Sequence, residues 1–140
     1  MKLTSQQCRE NVFLLLFEAS FREDSLEELF TLAEDIGEIA VNSQIRNFVS
    51  GVIAETAFLD EIISAYSPRR SLSRIARVNL ILLRMTIYEL QHQPEKPVNI
   101  LISEAIRLSE IYAAPEDTAF INGILGNYTR SQGQNAGETL

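Results

Sequence analysis

The most constraining feature of the sequence is an apolar pattern between Asn42 and Pro68 that repeats at steps of three and four residues. Such steps place side chains on one face of an α-helix, which turns about every 3.6 residues. The repeating positions are Ile45, Phe48, Val49, Val52, Ile53, Leu59, Ile62, Ile63 and Tyr66. Asn42 or Ser43 supplies an N-cap, and Pro68 disfavours helical geometry in the residue before it. We therefore predict one continuous helix over about residues 43–66.

Two shorter helices are predicted ahead of this one from their capping residues. Thr4 and Gln7 form a capping-box pattern, in which each side chain satisfies a backbone amide, and predict a first helix near residues 4–21. Ser25 repeats the N-cap signal, and Gly37 suits the left-handed residue that ends a helix. The second helix is short, with acidic residues on its outer side.

Three helices are predicted to follow. A mostly apolar stretch over about residues 72–92 indicates the most buried helix, and Pro97 and Pro115 each suit a helix start, where a missing amide costs little. Because no strand-like alternation, hairpin signal or repeat appears, the predicted fold class is all-α, with about six to seven helices in one domain over residues 1–130. The polar residues 131–140 are expected to form a disordered tail.

Composition excludes several classes of protein. A chain of 140 residues is long enough for one core. Its longest apolar run, Val12–Phe17, is far shorter than the roughly 20 residues that cross a bilayer, and we expect no membrane segment and a cytoplasmic protein. With Cys8 as the single cysteine and His92 as the single histidine, we expect no internal disulfide and no metal or other cofactor.

Catalytic motifs are also missing from the sequence. There is no phosphate-binding loop, dinucleotide fingerprint, zinc-protease motif or nucleophile elbow, which predicts a protein that is not an enzyme. His92 is better explained as a charge that complements a helix C-terminus, and Cys8 as an ordinary semi-buried thiol. Gly123 and Gly126 form a Gly-x-x-Gly pattern that clamps RNA in other settings, but their apolar helical surroundings favour close helix packing.

The net charge of -7 is unevenly distributed. The stretch 21–38 has seven acids and one base, and the rest of the chain is nearly neutral, which leaves room for a local basic patch. On one continuous helix of 100° per residue, Arg74, Arg77 and Arg84 would share a face. The alternative is that Arg77 and Arg84 pair with acids such as Glu89 or Glu104, and we prefer it for Arg84.

Four blocks of sequence, in the same order, resemble the NusB family. The first is Arg9-Glu10 followed by Leu15–Phe17, and the second is Leu83–Leu90, similar to the family's Leu-Arg-x-Ala-x-Tyr-Glu-Leu. Ile102–Leu108 resembles Ile-Asn-Glu-Ala-Val-Glu-Leu. The most specific block is Phe120-Ile-Asn-Gly-Ile-Leu-Gly, which resembles the family's Phe-Val-Asn-Gly-Val-Leu and follows an acidic and hydroxyl-bearing element, Glu116–Thr118.

This resemblance implies a fold and a function. The fold would be two joined three-helix bundles. The function would be transcription antitermination: the protein would pair with NusE, a small-subunit ribosomal protein, and hold the boxA RNA of nascent ribosomal RNA transcripts in the RNA polymerase antitermination complex. Two alternatives remain, namely a NusB-like regulatory domain related to the N-terminal domain of ribosomal RNA cytosine methyltransferases, and a homodimer that no longer binds RNA.

The resemblance also implies functional residues. Those expected to meet RNA are Lys2, Arg9, Tyr66, Asp117 and Phe120, to which we add the loop arginines Arg69 and Arg70. Those expected to meet the protein partner are Phe17, Asn79 and Arg84. The sequence departs from the family where Ser5–Gln7 replaces an arginine-rich segment and where Asn79 replaces an acid. With fewer phosphate contacts, we expect weak RNA binding by the chain alone and a large contribution from the partner's positive charge.

Overall fold

The computed structural model describes residues 2–133, and all regular structure within them is helical. The helices are α1 (Ser5–Ala19), α2 (Leu26–Ile36), α3 (Ser43–Ala54), α4 (Thr56–Ala65), α5 (Arg77–His92), α6 (Val98–Tyr112) and α7 (Asp117–Ser131). The all-α prediction is confirmed. Most of the tail expected over residues 131–140 lies outside the described residues, and Ser131 itself ends α7. None of the described helices has both the length and the apolar character needed to span a bilayer.

The chain divides into two compact units. The first unit runs to Glu55 and contains α1 to α3, and the second begins at Thr56 and contains α4 to α7. The first unit therefore has three helices, as the resemblance implies, whereas the second has four. The difference arises because the apolar stretch predicted as one helix is divided between the units.

The prediction of one continuous helix over residues 43–66 is wrong. Glu55 has φ −103° and ψ 12°, so it leaves helical geometry and caps α3, and α4 begins at the next residue. Apolar positions continue at helical spacing on both sides of Glu55, with Val52 buried before it and Leu59 after it. The pattern skips from Ile53 to Leu59 at the break, but it resumes in the same helical phase, because Leu59 lies seven residues after Val52.

The first unit is built on capped helices that pack through α1, which contacts both α2 and α3. The Thr4 hydroxyl accepts a hydrogen bond from the Gln7 amide at 3.1 Å, and the Gln7 side chain accepts one from the Thr4 amide at 2.8 Å, as the capping box predicts. Gly37 ends α2 with φ +78°. The largest buried side chains of the unit are Phe13, Phe30, Leu15 and Ile45.

The second unit is organised around α5, which packs against α4, α6 and α7. The prediction that this helix is the most buried one is confirmed, since nine of its residues are buried. Its predicted start at residue 72 is too early, because the helix begins at Arg77. Leu72–Arg74 forms a short 3-10 turn, and Ile75 is extended with ψ 127°. The expected face shared by Arg74, Arg77 and Arg84 is therefore wrong, because Arg74 is not on the helix that carries the other two.

Candidate nucleic-acid interface

A groove of about 360 Å³ lies in the second unit, between the segment that follows α4 and the first turns of α7. Its lining residues are Tyr66, Ser67, Pro68, Arg69, Arg70, Ala119, Phe120, Gly123, Ile124 and Asn127. Four of the seven residues expected to meet RNA are therefore brought together here, from two separate segments of the chain. We call it the Tyr66–Phe120 groove.

The side chains of Arg70 and Phe120 are in contact across the groove. The guanidinium carbon of Arg70 lies 4.1 Å from the centre of the Phe120 ring, a cation–π arrangement that couples a charge to an aromatic face. The turn before it holds Arg70 in place, since the Ser67 hydroxyl donates to the Arg70 carbonyl at 3.0 Å and the Arg70 amide donates to the Ser67 carbonyl at 3.2 Å. Arg69 is exposed, as a phosphate contact requires.

Tyr66 is held at the edge of the groove by two contacts to α7. Its ring meets the Tyr128 ring edge-on, with centroids 5.7 Å apart, and its hydroxyl hydrogen-bonds the Ser131 hydroxyl. Tyr128 in turn accepts a hydrogen bond from the Gln91 side chain at 3.2 Å. These contacts keep the Tyr66 ring in place while part of it remains exposed to solvent.

Gly123 lines the Tyr66–Phe120 groove and is exposed. A Cβ added at Gly123 would meet nothing within 4 Å, and the nearest atoms to one added at Gly126 belong to Arg130 of the same helix, at 3.3 Å. The expectation that these glycines serve close helix packing is therefore wrong. Gly123 instead leaves space beside Phe120.

Asn127 is a groove residue that sequence reasoning missed. It is exposed, and it lies seven residues after Phe120, which returns to nearly the same side of a helix. This spacing is the signal by which it could have been found. Its amide can donate to and accept from a base edge, which an apolar side chain cannot do.

Asp117 begins α7 at the same end as Phe120 but does not line the groove. Its amide donates to the Ala114 carbonyl at 3.0 Å, and its side chain is partly exposed. The neighbouring Thr118 hydroxyl is buried without a hydrogen-bond partner in the described part of the chain. The predicted role of Asp117 in RNA binding remains a prediction.

The two basic residues expected at the N-terminus belong to the first unit and differ in exposure. Lys2 is exposed ahead of α1. Arg9 is only 8% exposed, so a phosphate could reach its guanidinium only after the side chain had moved. The sequence showed that Arg9 lies on α1 but not that it lies on the inward side of that helix.

The three residues expected to meet a protein partner are also differently placed. Phe17 is partly exposed and packs against Phe21, with ring centroids 4.9 Å apart. Asn79 is fully buried, and neither atom of its side-chain amide has a hydrogen-bond partner among the described residues. Burial removes Asn79 from the surface that its proposed role needs. All three roles remain predictions.

Arg84 forms an ion pair, as we preferred, but not with the acids suggested. It donates from Nε to Asp60 at 2.7 Å and from Nη2 to the other carboxylate oxygen at 2.9 Å. Of the suggested acids, Glu89 pairs with Lys96, and Glu104 pairs with Arg107. Asp60 was missed because it lies on α4, and its distance from Arg84 depends on how α4 packs against α5.

The remaining chemically reactive side chains are placed as the sequence suggested. His92 ends α5 and stacks on Tyr88, with ring centroids 4.2 Å apart. Cys8 is buried on α1, with its sulfur 4.0 Å from the Gln44 side-chain oxygen. Within residues 2–133, no group of three or more His, Cys, Asp or Glu side chains is arranged to hold a metal ion.

Known proteins of similar sequence show the family of this chain. The model of the NusB family matches residues 6–130. Among curated proteins, the transcription antitermination protein NusB of Agathobacter rectalis is 32% identical over 132 residues, which cover 90% of this chain and 99% of the relative. The protein of the same name from a Thermoanaerobacter species is 38% identical over 112 residues, covering 80% of this chain and 78% of the relative. The matched relatives are named as antitermination proteins rather than as enzymes.

Solved structures agree on the fold. NusB from T. maritima superposes with a TM-score of 0.80 at 28% identity, covering 93% of each chain. A crystal structure of the antitermination factors NusB and NusE in complex with double-stranded RNA contains a chain with a TM-score of 0.78 at 22% identity, covering 90% of this chain and 96% of that one. The family model and the relatives together cover nearly all described helices, and this chain belongs to the NusB family of transcription antitermination proteins.

Proposed function

We propose that this chain pairs with NusE and binds the boxA RNA of nascent ribosomal RNA transcripts, and so helps RNA polymerase in the cytoplasm to read through terminators. The observation that carries the proposal is the Tyr66–Phe120 groove, which is lined by two aromatic rings and two arginines. The names of the relatives and the NusB–NusE–RNA complex formed by a protein of similar fold support it. The role is that of an adaptor, which requires binding and no covalent chemistry.

The groove suits a single strand better than a duplex. Single-stranded RNA can turn a base outward onto an aromatic ring, and each such stack is worth about 1–3 kcal/mol. Tyr66 and Phe120 provide two rings, and Arg69 provides a charge for a neighbouring phosphate. Since the Arg70 guanidinium lies on the Phe120 ring, an incoming base would stack on the guanidinium plane itself or displace it.

The other predicted residues enter the proposal with less support from geometry. Lys2 is exposed and is proposed as a phosphate contact, and Asp117 is proposed to help position RNA near the start of α7. Phe17 is proposed as a contact for NusE. Arg9 and Asn79 would each have to leave a buried position, so we propose them only with such a movement.

The test is binding of fluorescently labelled boxA RNA, measured by anisotropy with and without NusE. Phe120→Ala or Tyr66→Ala should weaken binding roughly 5- to 150-fold, since each removes one stacking surface. The matched control is Ile111→Ala, because Ile111 is a large apolar residue of the second unit that is accessible to solvent and does not line the Tyr66–Phe120 groove.

Two outcomes would contradict the proposal. One is a boxA affinity that Phe120→Ala and Tyr66→Ala change no more than Ile111→Ala does. The other is a chain that light scattering shows to be an unchanged homodimer after NusE is added at any concentration.

A further inference from the structure

A second groove, of about 220 Å³, lies wholly within the first unit between α1 and α2. Its lining residues are Leu15, Glu18, Leu29, Leu32, Ala33, Ile36, Glu38 and Ile39. The RNA site proposed above uses none of them. We call it the α1–α2 groove.

The interior of the α1–α2 groove is apolar, and part of its apolar surface is open to water. Leu32 is 36% exposed and Ile36 is 59% exposed, one helical turn apart on α2. Clustered exposed apolar side chains of this kind mark binding surfaces more often than single ones do. The volume is below the ~300–1,000 Å³ typical of small-molecule pockets, so it fits the side chains of a segment better than a cofactor.

The surroundings of the α1–α2 groove are strongly acidic. The stretch 21–38 contains seven acids against Arg22 alone. Arg22 pairs with Asp24 and Glu18. Its hydrogen bonds to these two carboxylates raise the pKa of its guanidinium, and the bond to Asp24 has the largest effect.

Among the described residues, only some of the acids around the α1–α2 groove pair with a basic residue. Arg46 of α3 pairs with Glu27 and Glu34. Asp35 and Glu38, which flank Ile36, are exposed, and no basic residue in the described part of the chain pairs with them. The surface next to Ile36 therefore keeps uncompensated negative charge.

The negative charge around the α1–α2 groove limits which kinds of molecule can bind there. Phosphates of RNA and anionic lipid headgroups would be repelled by Asp35 and Glu38. The chain's own residues 132–140 contain no Lys or Arg that could neutralise these acids. A segment that presents lysines or arginines around one or two aliphatic side chains matches both the acidic edge and the apolar interior.

We infer that the α1–α2 groove is a docking site for a basic amphipathic helix of a protein partner. Aliphatic side chains of that helix would cover Leu32 and Ile36, and its lysines or arginines would face Asp35 and Glu38. The first unit would then bind protein through a surface that contains no residue of the Tyr66–Phe120 groove.

The test uses a labelled synthetic helical peptide of leucine and lysine, with leucines at steps of three and four residues, and measures its anisotropy with the full chain. Ile36→Ser should weaken binding on the order of tenfold, because it removes apolar surface that the peptide covers. Asp35→Asn with Glu38→Gln should weaken binding and make it less dependent on salt. The controls are Ile111→Ser, at a similarly exposed position on α6, and Glu110→Gln.

Circular dichroism and boxA binding, which should not change in these variants, check that each one is folded. The inference is overturned if Ile36→Ser and Ile111→Ser bind the peptide equally. It is also overturned if a peptide with glutamate in place of lysine binds as well, or if light scattering shows that Ile36→Ser dissociates a dimer, since a second copy would then cover the groove.

Discussion

Breaking the Arg84–Asp60 pair should destabilise the second unit by about 2 kcal/mol. The pair has two charged hydrogen bonds, at 2.7 and 2.9 Å, and its side chains are 21% and 20% exposed. Pairs at the open surface contribute about 0–1 kcal/mol, whereas breaking a fully buried pair costs about 3–5 kcal/mol. Because about one-fifth of each side chain is exposed, we expect a cost between these two ranges. The two short hydrogen bonds to one carboxylate favour a cost above that of an open surface pair.

A double-mutant cycle with Asp60→Asn and Arg84→Met measures this energy. Each single variant leaves one charge without its partner, so the double variant should lose less than the sum of the two, with a coupling energy of about 1–2 kcal/mol. All four tyrosines, at positions 66, 88, 112 and 128, lie in the second unit. Tyrosine fluorescence during urea denaturation therefore reports on the unit that contains the pair.

The matched control for the cycle is Glu61→Gln, because Glu61 is the exposed acid next to Asp60 on α4. It should change the free energy of unfolding by less than about 0.5 kcal/mol. A coupling energy no larger than that would refute the reasoning, since the pair would then contribute no more than a solvated surface pair.

Two helix caps and the Tyr66–Phe120 groove can each be tested by a single substitution. Thr4→Ala should cost about 1 kcal/mol of first-unit stability, measured by far-UV circular dichroism during denaturation, and Thr4→Ser should restore most of it. Gly37→Ala should lower stability by about 1 kcal/mol because φ is +78° there, and an equal or higher melting temperature would contradict this. Arg69→Ala should reduce the salt dependence of boxA binding by roughly 0.7 in the logarithmic slope, and an unchanged slope would show that Arg69 meets no phosphate.

The local signals in the sequence were reliable where they depend on neighbouring residues. The caps at Thr4, Ser25 and Asn42 form as predicted, as does the left-handed Gly37, because each involves atoms within a few residues of one another. Periodicity failed at Glu55, where the backbone leaves helical geometry, because the apolar pattern skips from Ile53 to Leu59 but resumes in the same helical phase. A periodic pattern of apolar residues shows which face of a helix is buried, but it does not show that the helix is continuous.

For the candidate site, the resemblance supplied Tyr66 and Phe120, and the loop position suggested Arg69 and Arg70. Nothing in the sequence showed that Arg70 covers the Phe120 ring or that the space around Gly123 is open. Exposure could not be read from the residue type either, since Arg9 is charged and nevertheless buried.

The amino-acid sequence alone determined the helical class, the capped helix ends at Thr4, Ser25, Gly37 and Asn42, and the family, because these depend on short-range hydrogen bonds, spacing and ordered blocks of residues. Tertiary structure decided which distant residues are in contact: Arg84 with Asp60 between α4 and α5, and Arg70 with Phe120 across the Tyr66–Phe120 groove. The physical reason is that such contacts depend on how whole helices pack. Packing is set by the fit of many buried side chains at once, and no local pattern records it.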